Sequence, residues 1–433
     1  MNKITDHILC KVEKPARYVG GELNEIIKNP EEVDIRFAFC FPDVYEVGMS
    51  HLGTRILYHT INERKDTYCE RVFAPWPDME EQLRKNNISL CTLETKTPLK
   101  EFDILGFTLQ YEMSYTNILN MLDMSGITIR AEERGEDEPL VMAGGPCAYN
   151  PEPLVGIVDF FEIGEGEEMM DDVLEVYAKY KKGKWDKKAF LREISKIGGI
   201  YVPSLYDVEY NEDGTIKSFK PKYDDVPAVV KKRIINNFDR VSFPENMIVP
   251  YTEIVHDRIV LETFRGCTNG CRFCQAGMIY RPVREKSKET LVKQARNMLK
   301  STGYQEVSLS SLSTCDYSDI EGLIHDLMEE HEKDKVAIAL PSIRVDAFSV
   351  DLIKEIQKVK KTGLTFAPEA GSQRMRDIIN KGLTEERILE ATRNAFESGW
   401  NKIKLYFIIG LPYETLEDCA GIGDLAGKMA DEY

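Results

Sequence analysis

Residues 267–274 read Cys-Thr-Asn-Gly-Cys-Arg-Phe-Cys, directly behind the apolar run Ile259, Val260, Leu261. A strand is expected over that run, so Cys267, Cys271 and Cys274 share one short loop at its end. The chain holds 10 cysteines, and the others (Cys10, Cys40, Cys69, Cys91, Cys147, Cys315, Cys419) are dispersed. Thiolates are soft ligands that suit iron–sulfur clusters and zinc. Three of them on one loop can hold three irons of a cubane and leave the fourth iron open. A closed structural zinc site takes a fourth Cys or His, and the nearest histidine, His256, precedes the strand. A zinc knuckle, or cysteines that are incidental, is the alternative reading.

Downstream of the loop, strands and helical stripes alternate. Leu291, Val292, Ala295, Met298 and Leu299 mark a helix, and 307–309 a strand. Ser318 and Glu321 form a capping-box pattern before a helix carrying Ile320, Leu323, Ile324, Leu327 and Met328. Further strands are expected at 336–340, 364–367 and 403–409, with helices near 349–359, 384–397 and 415–430. These five β/α units over 256–433 are the start of an α/β barrel, with strand ends facing its active-site mouth. An open five-stranded end would leave an apolar edge uncovered, so the sequence reads as a barrel incomplete at the C-terminus.

Upstream, residues 1–33 form a polar arm. Strands at 34–40, 102–109, 140–143 and 158–163 alternate with helical stripes such as Leu52, Ile56, Leu57 and Ile61. That alternation predicts an α/β, doubly wound parallel sheet over 34–180. Residues 181–255 read as a linker with a β-hairpin about Asp213 and Gly214.

The 433-residue length suits two or three domains. Lys+Arg number 56 against Asp+Glu 73, a net charge of −17, which argues against broad nucleic-acid binding. No run of about 18 uncharged apolar residues stands for a membrane span, and the first residues lack a signal-peptide core. A soluble, cytoplasmic protein is expected.

The motif C-x3-C-x-aromatic-C behind the first strand of a barrel resembles the radical S-adenosylmethionine superfamily, with Phe273 as the aromatic. The resemblance implies a 4Fe-4S cluster on Cys267, Cys271 and Cys274, S-adenosylmethionine on the open iron, and reductive cleavage to a 5′-deoxyadenosyl radical. It also implies a flavodoxin, ferredoxin or reductase as electron donor. Ser310 and Ser311 end the second strand, where the family often holds the methionine amine. Arg344 follows the third strand, Glu369 the fourth, and Gly410 and Pro412 the fifth. The resemblance makes these cofactor contacts. An ion pair at the barrel mouth for Arg344 and Glu369, and a plain turn for Gly410 and Pro412, are the alternatives.

Gly144, Gly145, Pro146, then Asn150, Pro151, Glu152, and then 164–167, Gly-Glu-Gly-Glu, together resemble the cobalamin-binding-type domain in front of many such enzymes. Thr108, Gly144 and Gly145 would face the corrin. The family's D-x-H-x-x-G reads here Asp43, Val44, Tyr45, Glu46, Val47, Gly48, with tyrosine in the histidine's place. Two readings stay open: cobalamin bound without a protein ligand to cobalt, or a cobalamin-type fold without the cofactor. The stretch 16–22, Ala-Arg-Tyr-Val-Gly-Gly-Glu, completes a resemblance to one bacterial group of the superfamily that supplies no substrate. With cobalamin, methyl transfer is the natural reaction; without it, radical rearrangement or group insertion. The competing readings are methylthio transfer to RNA or a ribosomal protein, with a second cluster on Cys10, Cys40 and Cys69, and a metal-cluster sensor or interaction module without catalysis.

Overall fold

The computed structural model describes residues 3–340 and 364–433. The chain divides into two compact units, Met1–Asp257 and Arg258–Tyr433. Together they are mixed α/β with parallel sheets.

In the first unit, apolar runs form β1 (Ile35–Phe41), β3 (Ile104–Thr108), β4 (Leu140–Gly144) and β5 (Phe160–Glu162), nearly every residue buried. Such unbroken burial is what a parallel sheet covered on both faces requires. Two further strands, β2 (Thr67–Phe73) and β6 (Ile200–Tyr201), complete a sheet of order β2-β1-β3-β4-β5-β6. The first five run parallel and β6 antiparallel to β5. This 2-1-3-4-5 order places a topological switch between β1 and β3, where doubly wound sheets open a crevice at their carboxyl edge.

β2 has no counterpart among the sequence-predicted strands, because Glu70 and Arg71 interrupt its apolar pattern. Both are nonetheless buried. Arg71 lies between Glu22 at 3.0 Å and Glu94 at 2.6 Å. Glu70 is paired with Arg36 and accepts from the Thr92 and Thr95 hydroxyls at 2.8 and 2.6 Å. Pairing and hydrogen bonding offset the desolvation of these charges.

The polar arm is fastened to this sheet. Arg17 donates to Glu46 at 2.8 and 2.9 Å, and Lys96 donates to the Tyr18 and Val19 carbonyls at 3.1 and 2.7 Å. Gly20 holds φ +65°, and a Cβ there would come 2.3 Å from the Leu93 carbonyl oxygen. The hairpin expected within 181–255 is present, and the stretch does more than link. That stretch supplies helix Lys187–Ile194, β6 and the hairpin of β7 (Tyr206–Tyr210) and β8 (Ile216–Pro221). Its Ile200, Val202, Leu205, Val226, Ile248 and Ile254 belong to the first unit's core. Val249 donates to the Leu23 carbonyl at 3.0 Å and Asn24 to the Met247 carbonyl at 2.8 Å, so the segment closes on the arm.

In the second unit, β9 (Ile259–Glu262), β12 (Glu306–Ser310) and β13 (Ala337–Ala339) form a parallel sheet of order β13-β12-β9. A short antiparallel pair, β10 (Phe264–Arg265) with β11 (Arg284–Glu285), stands between them in sequence. β14 (Leu364–Glu369) and β15 (Ile403–Phe407) pair in parallel. Helices Lys288–Thr302, Ile320–His331, Glu385–Glu397 and Leu416–Asp431 alternate with the strands, as the expected β/α units require. The expected helix near 349–359 lies outside the described residues. The capping box expected from Ser318 and Glu321 is replaced by Asp319, whose carboxylate accepts from the Gly322 N–H at 3.2 Å, while the Ser318 hydroxyl donates to Glu285.

Candidate functional site

The cysteine loop leaves β9 through β10 and returns through β11, so the Phe264↔Glu285 and Arg265↔Arg284 pairs clamp its base. Gly266 carries φ +99°, and a Cβ there would meet the Pro282 carbonyl oxygen at 2.6 Å. Gly270, between the first two cysteines, carries φ +68°. These turns are open to glycine at little cost and strained for other residues. Cys267, Cys271 and Cys274 form no disulfide, and each is half-buried. Asn269 donates to the Cys267 sulfur at 3.3 Å, and hydrogen bonds to sulfur are one of the levers on a cluster's potential.

Two neighbouring segments pin the loop. Asn269 also donates to Asp316 at 3.3 Å, in the turn beyond β12. On the other side, the Arg272 N–H donates to the Ile379 carbonyl at 2.9 Å, and Asn380 donates to the Gly270 carbonyl at 2.9 Å. Lys381, the next residue, pairs with Glu369 at 3.0 Å. The Glu369 carbonyl in turn accepts from the Ile408 N–H at 2.8 Å. The loop, the segment beyond β12 and the ends of β14 and β15 are therefore linked contact by contact.

Ser310 ends β12 and its carbonyl accepts from the Thr263 N–H at 3.0 Å, while Ser311 donates to the Thr314 hydroxyl at 3.3 Å. The hydroxyl that stands out is Ser313, which the sequence reading passed over. It is 2% exposed and its oxygen has no hydrogen-bond partner. Glu369 sits at a register shift in β14 with φ +68°, a conformation rare for glutamate and typical of positions held in place for a task. Gly410 has φ +92°, and its N–H and that of Leu411 both reach Glu414, at 2.6 and 3.3 Å. A ligand there would compete with that carboxylate. Pro412 is exposed, and Phe273 is 39% exposed. Arg344 lies outside the described residues.

At the root of the loop, Glu262 ends β9 and pairs with Arg265 at 2.8 Å. Burial pushes this carboxyl up, but Arg265, Lys286 and Arg284 outweigh it and hold it below its ordinary value. A fixed negative charge thus sits at the strand end from which the thiols emerge.

Among the described residues no three His, Cys, Asp or Glu side chains converge on a single metal ion. A cubane does not ask for that, since its cysteines bind different irons at separate corners. The donor set fits it: three thiols outside any disulfide on one glycine-turned loop, with a buried hydroxyl in the neighbouring turn still to be satisfied. Cys40 and Cys69, by contrast, are fully buried within β1 and β2, and burial raises both thiols well above their ordinary value. Cys10 is exposed outside that core. These three do not offer a second cluster loop.

In the first unit, Thr108 and Gly144 are register partners at the ends of β3 and β4. Gln110 donates to the Thr108 hydroxyl at 2.6 Å. Gly145 has φ +102°, and a Cβ there would stand 2.9 Å from the Leu109 carbonyl oxygen, so the chain's own backbone already demands glycine. Tyr45 is 2% exposed and donates to Glu22 at 2.8 Å, which removes it from any ligand. His51 caps helix Leu52–Glu63, its Nδ1 accepting from the Thr54 N–H at 3.1 Å. Burial lowers its pKa to about 4. Neither residue serves as a protein ligand to cobalt in this arrangement.

No helix among the described residues is long and apolar enough to cross a membrane. The family model "Radical SAM proteins, N-terminal" matches residues 53–203, and "Radical SAM superfamily" matches 261–426. Uncharacterized protein MJ0966 of Methanocaldococcus jannaschii is 28% identical over 398 residues, 91% of this chain and 74% of its own length. Uncharacterized methyltransferase PH0819 of Pyrococcus horikoshii is 23% identical over 344 residues, 77% of this chain and 66% of its own. Among solved structures, the cobalamin-dependent S-adenosylmethionine radical enzyme OxsB, with aqua-cobalamin and S-adenosylmethionine bound, superposes with TM-score 0.59 at 16% identity, over 90% of this chain. This chain spans 51% of that one, about half its length. The radical S-adenosylmethionine methyltransferase TsrM of Kitasatospora setae, with tryptophan and aza-SAM, gives 0.57 at 13% identity over 91% of this chain and 71% of its own. At such identities the likeness is one of fold.

Proposed function

This chain is a radical S-adenosylmethionine enzyme, and from that premise we propose that it is a cobalamin-dependent methyltransferase of the superfamily. The observation that carries the reading is the pairing of two edges in one chain. One is the thiol loop of Cys267, Cys271 and Cys274, with Ser313 and Glu369 in the segments linked to it. The other is the carboxyl edge of a 2-1-3-4-5 sheet in the first unit, where Thr108 and Gly144 end adjacent strands. The cluster would supply one electron for cleavage of the sulfonium, and cobalamin would supply a carrier for the methyl group. In this reading the three thiols hold the cluster, and Phe273, Ser310, Ser311, Arg344, Glu369, Gly410 and Pro412 surround S-adenosylmethionine. Thr108, Gly144 and Gly145 would hold the corrin, while Tyr45 and His51 are already engaged by Glu22 and Thr54. A small flavin- or iron–sulfur-bearing electron donor completes the system.

The test is electron paramagnetic resonance of anaerobically reconstituted, dithionite-reduced protein, before and after S-adenosylmethionine. A reduced 4Fe-4S signal that shifts on addition supports an open iron. A signal indifferent to it, or zinc in place of iron, overturns the radical chemistry. Absence of hydroxocobalamin uptake overturns only the cobalamin half.

A further inference from the structure

Glu162 ends β5 at the carboxyl edge of the first unit's sheet and is 4% exposed. Its Oε1 has no hydrogen-bond partner. A buried carboxyl with an unmade hydrogen bond is costly, and native structures retain such a group for a reason. The reason is to be sought in its neighbours, two half-exposed glycines. A Cβ on Gly144, at the end of β4, would lie 3.5 Å from the Glu162 Cβ. One on Gly166, which opens helix Gly166–Lys182, would lie 3.4 Å from its Oε2 and 3.2 Å from Leu57. Both glycines leave uncovered the space a side chain would take over this carboxyl.

Burial, with the charge of Glu167 second, raises Glu162 to about 8. Glu167, in the first turn of that helix, is the titratable group that acts on it; from β6 the register partner is Ile200. At neutral pH the group is therefore a carboxylic acid, with one O–H to donate and one C=O to accept. A primary amide is its geometric complement, because two parallel hydrogen bonds close between the pair. A corrin carries primary amides around its rim. Resting on the cobalamin reading above, we propose that Glu162 binds the amide-bearing rim of a corrin seated at the carboxyl edge of this sheet, between the ends of β4 and β5.

The test is equilibrium dialysis of the full chain against hydroxocobalamin and against dicyanocobinamide, which keeps the amide rim and lacks the nucleotide tail. Glu162→Leu is expected to weaken both about tenfold, and Glu162→Gln, which keeps a donor and an acceptor, less than threefold. Between pH 7 and 9.5 the wild type loses affinity as the acid ionises, and Glu162→Gln does not. The thermal midpoint of Glu162→Leu is expected at or above the wild-type value, since leucine leaves no polar group unpaired. Should that variant fail to fold, the pH comparison between wild type and Glu162→Gln decides alone. Unchanged binding by a folded Glu162→Leu, parallel pH profiles, or a loss confined to hydroxocobalamin overturns the assignment to the amide rim. Wild-type protein that binds neither probe overturns the cobalamin reading itself.

Discussion

Arg71 is 1% exposed and carries a buried charge. Its guanidinium reaches Glu22 on the arm and Glu94 beyond β2, so removing either acid leaves a buried cation under-compensated. Burial pushes the Glu22 carboxyl up, but the charge and hydrogen bonds of Arg71, together with the Tyr45 hydroxyl, hold it below its ordinary value. An acid with a depressed folded pKa stabilises the fold fully above its unfolded pKa and loses that contribution as pH falls through the folded value. Glu22→Gln is therefore expected to cost about 1–3 kcal/mol at pH 7, and the gap from wild type to narrow once pH falls below the unfolded value of about 4.3. Urea midpoints at the two pH values check this; a gap independent of pH would show that the charge is not what matters. The same residues explain what could not be read in advance. Cys267, Cys271 and Cys274 were legible because their chemistry is local and their spacing short. Glu70, Arg71 and Ser313 were not, since their partners, or lack of them, lie in distant segments that only folding brings together.

Among the elements, the loop between β10 and β11 depends on backbone as much as on sulfur. Gly266→Ala keeps all three thiols but places a methyl 2.6 Å from the Pro282 carbonyl oxygen at a φ of +99°. Iron and sulfide per chain after anaerobic reconstitution are expected to fall several-fold in this variant, with far-ultraviolet circular dichroism unchanged. Full loading would show that the clamp is dispensable. Element types were legible where apolar periodicity was clean, as in helices Lys288–Thr302 and Glu385–Glu397. The start of helix Ile320–His331 was harder, because Ser318 and Asp319 are both good caps. The choice fell to Asp319 once Glu285 had engaged the serine. β2 was the costliest omission, for without it the strand order, and so the switch between β1 and β3, had no basis in the sequence.

For the whole molecule, one apolar cluster is drawn from residues up to Ile254, and two smaller ones from Leu364 onward. Urea unfolding followed by far-ultraviolet circular dichroism is expected to resolve two transitions, and residues 1–257 alone to reproduce one of them. A single transition for the full chain, with an unfolded 1–257 fragment, would count against two independent cores. Composition and charge had bounded this scale well, and the second unit begins at Arg258, beside the expected 256; residues 181–255 look like a polar linker yet bury a scattered set of apolar side chains in the first unit's core. The stitching of arm to segment end has a consequence for synthesis. The Tyr251 hydroxyl donates to the Gly21 carbonyl, 230 residues earlier. At about 5–20 residues per second, the arm leaves the ribosome on the order of 10–50 s before its last partner is made. Throughout that interval the arm is held only by partners made early, Glu46, Tyr58 and Lys96 among them. The first unit is thus finished only after its last segment has been made.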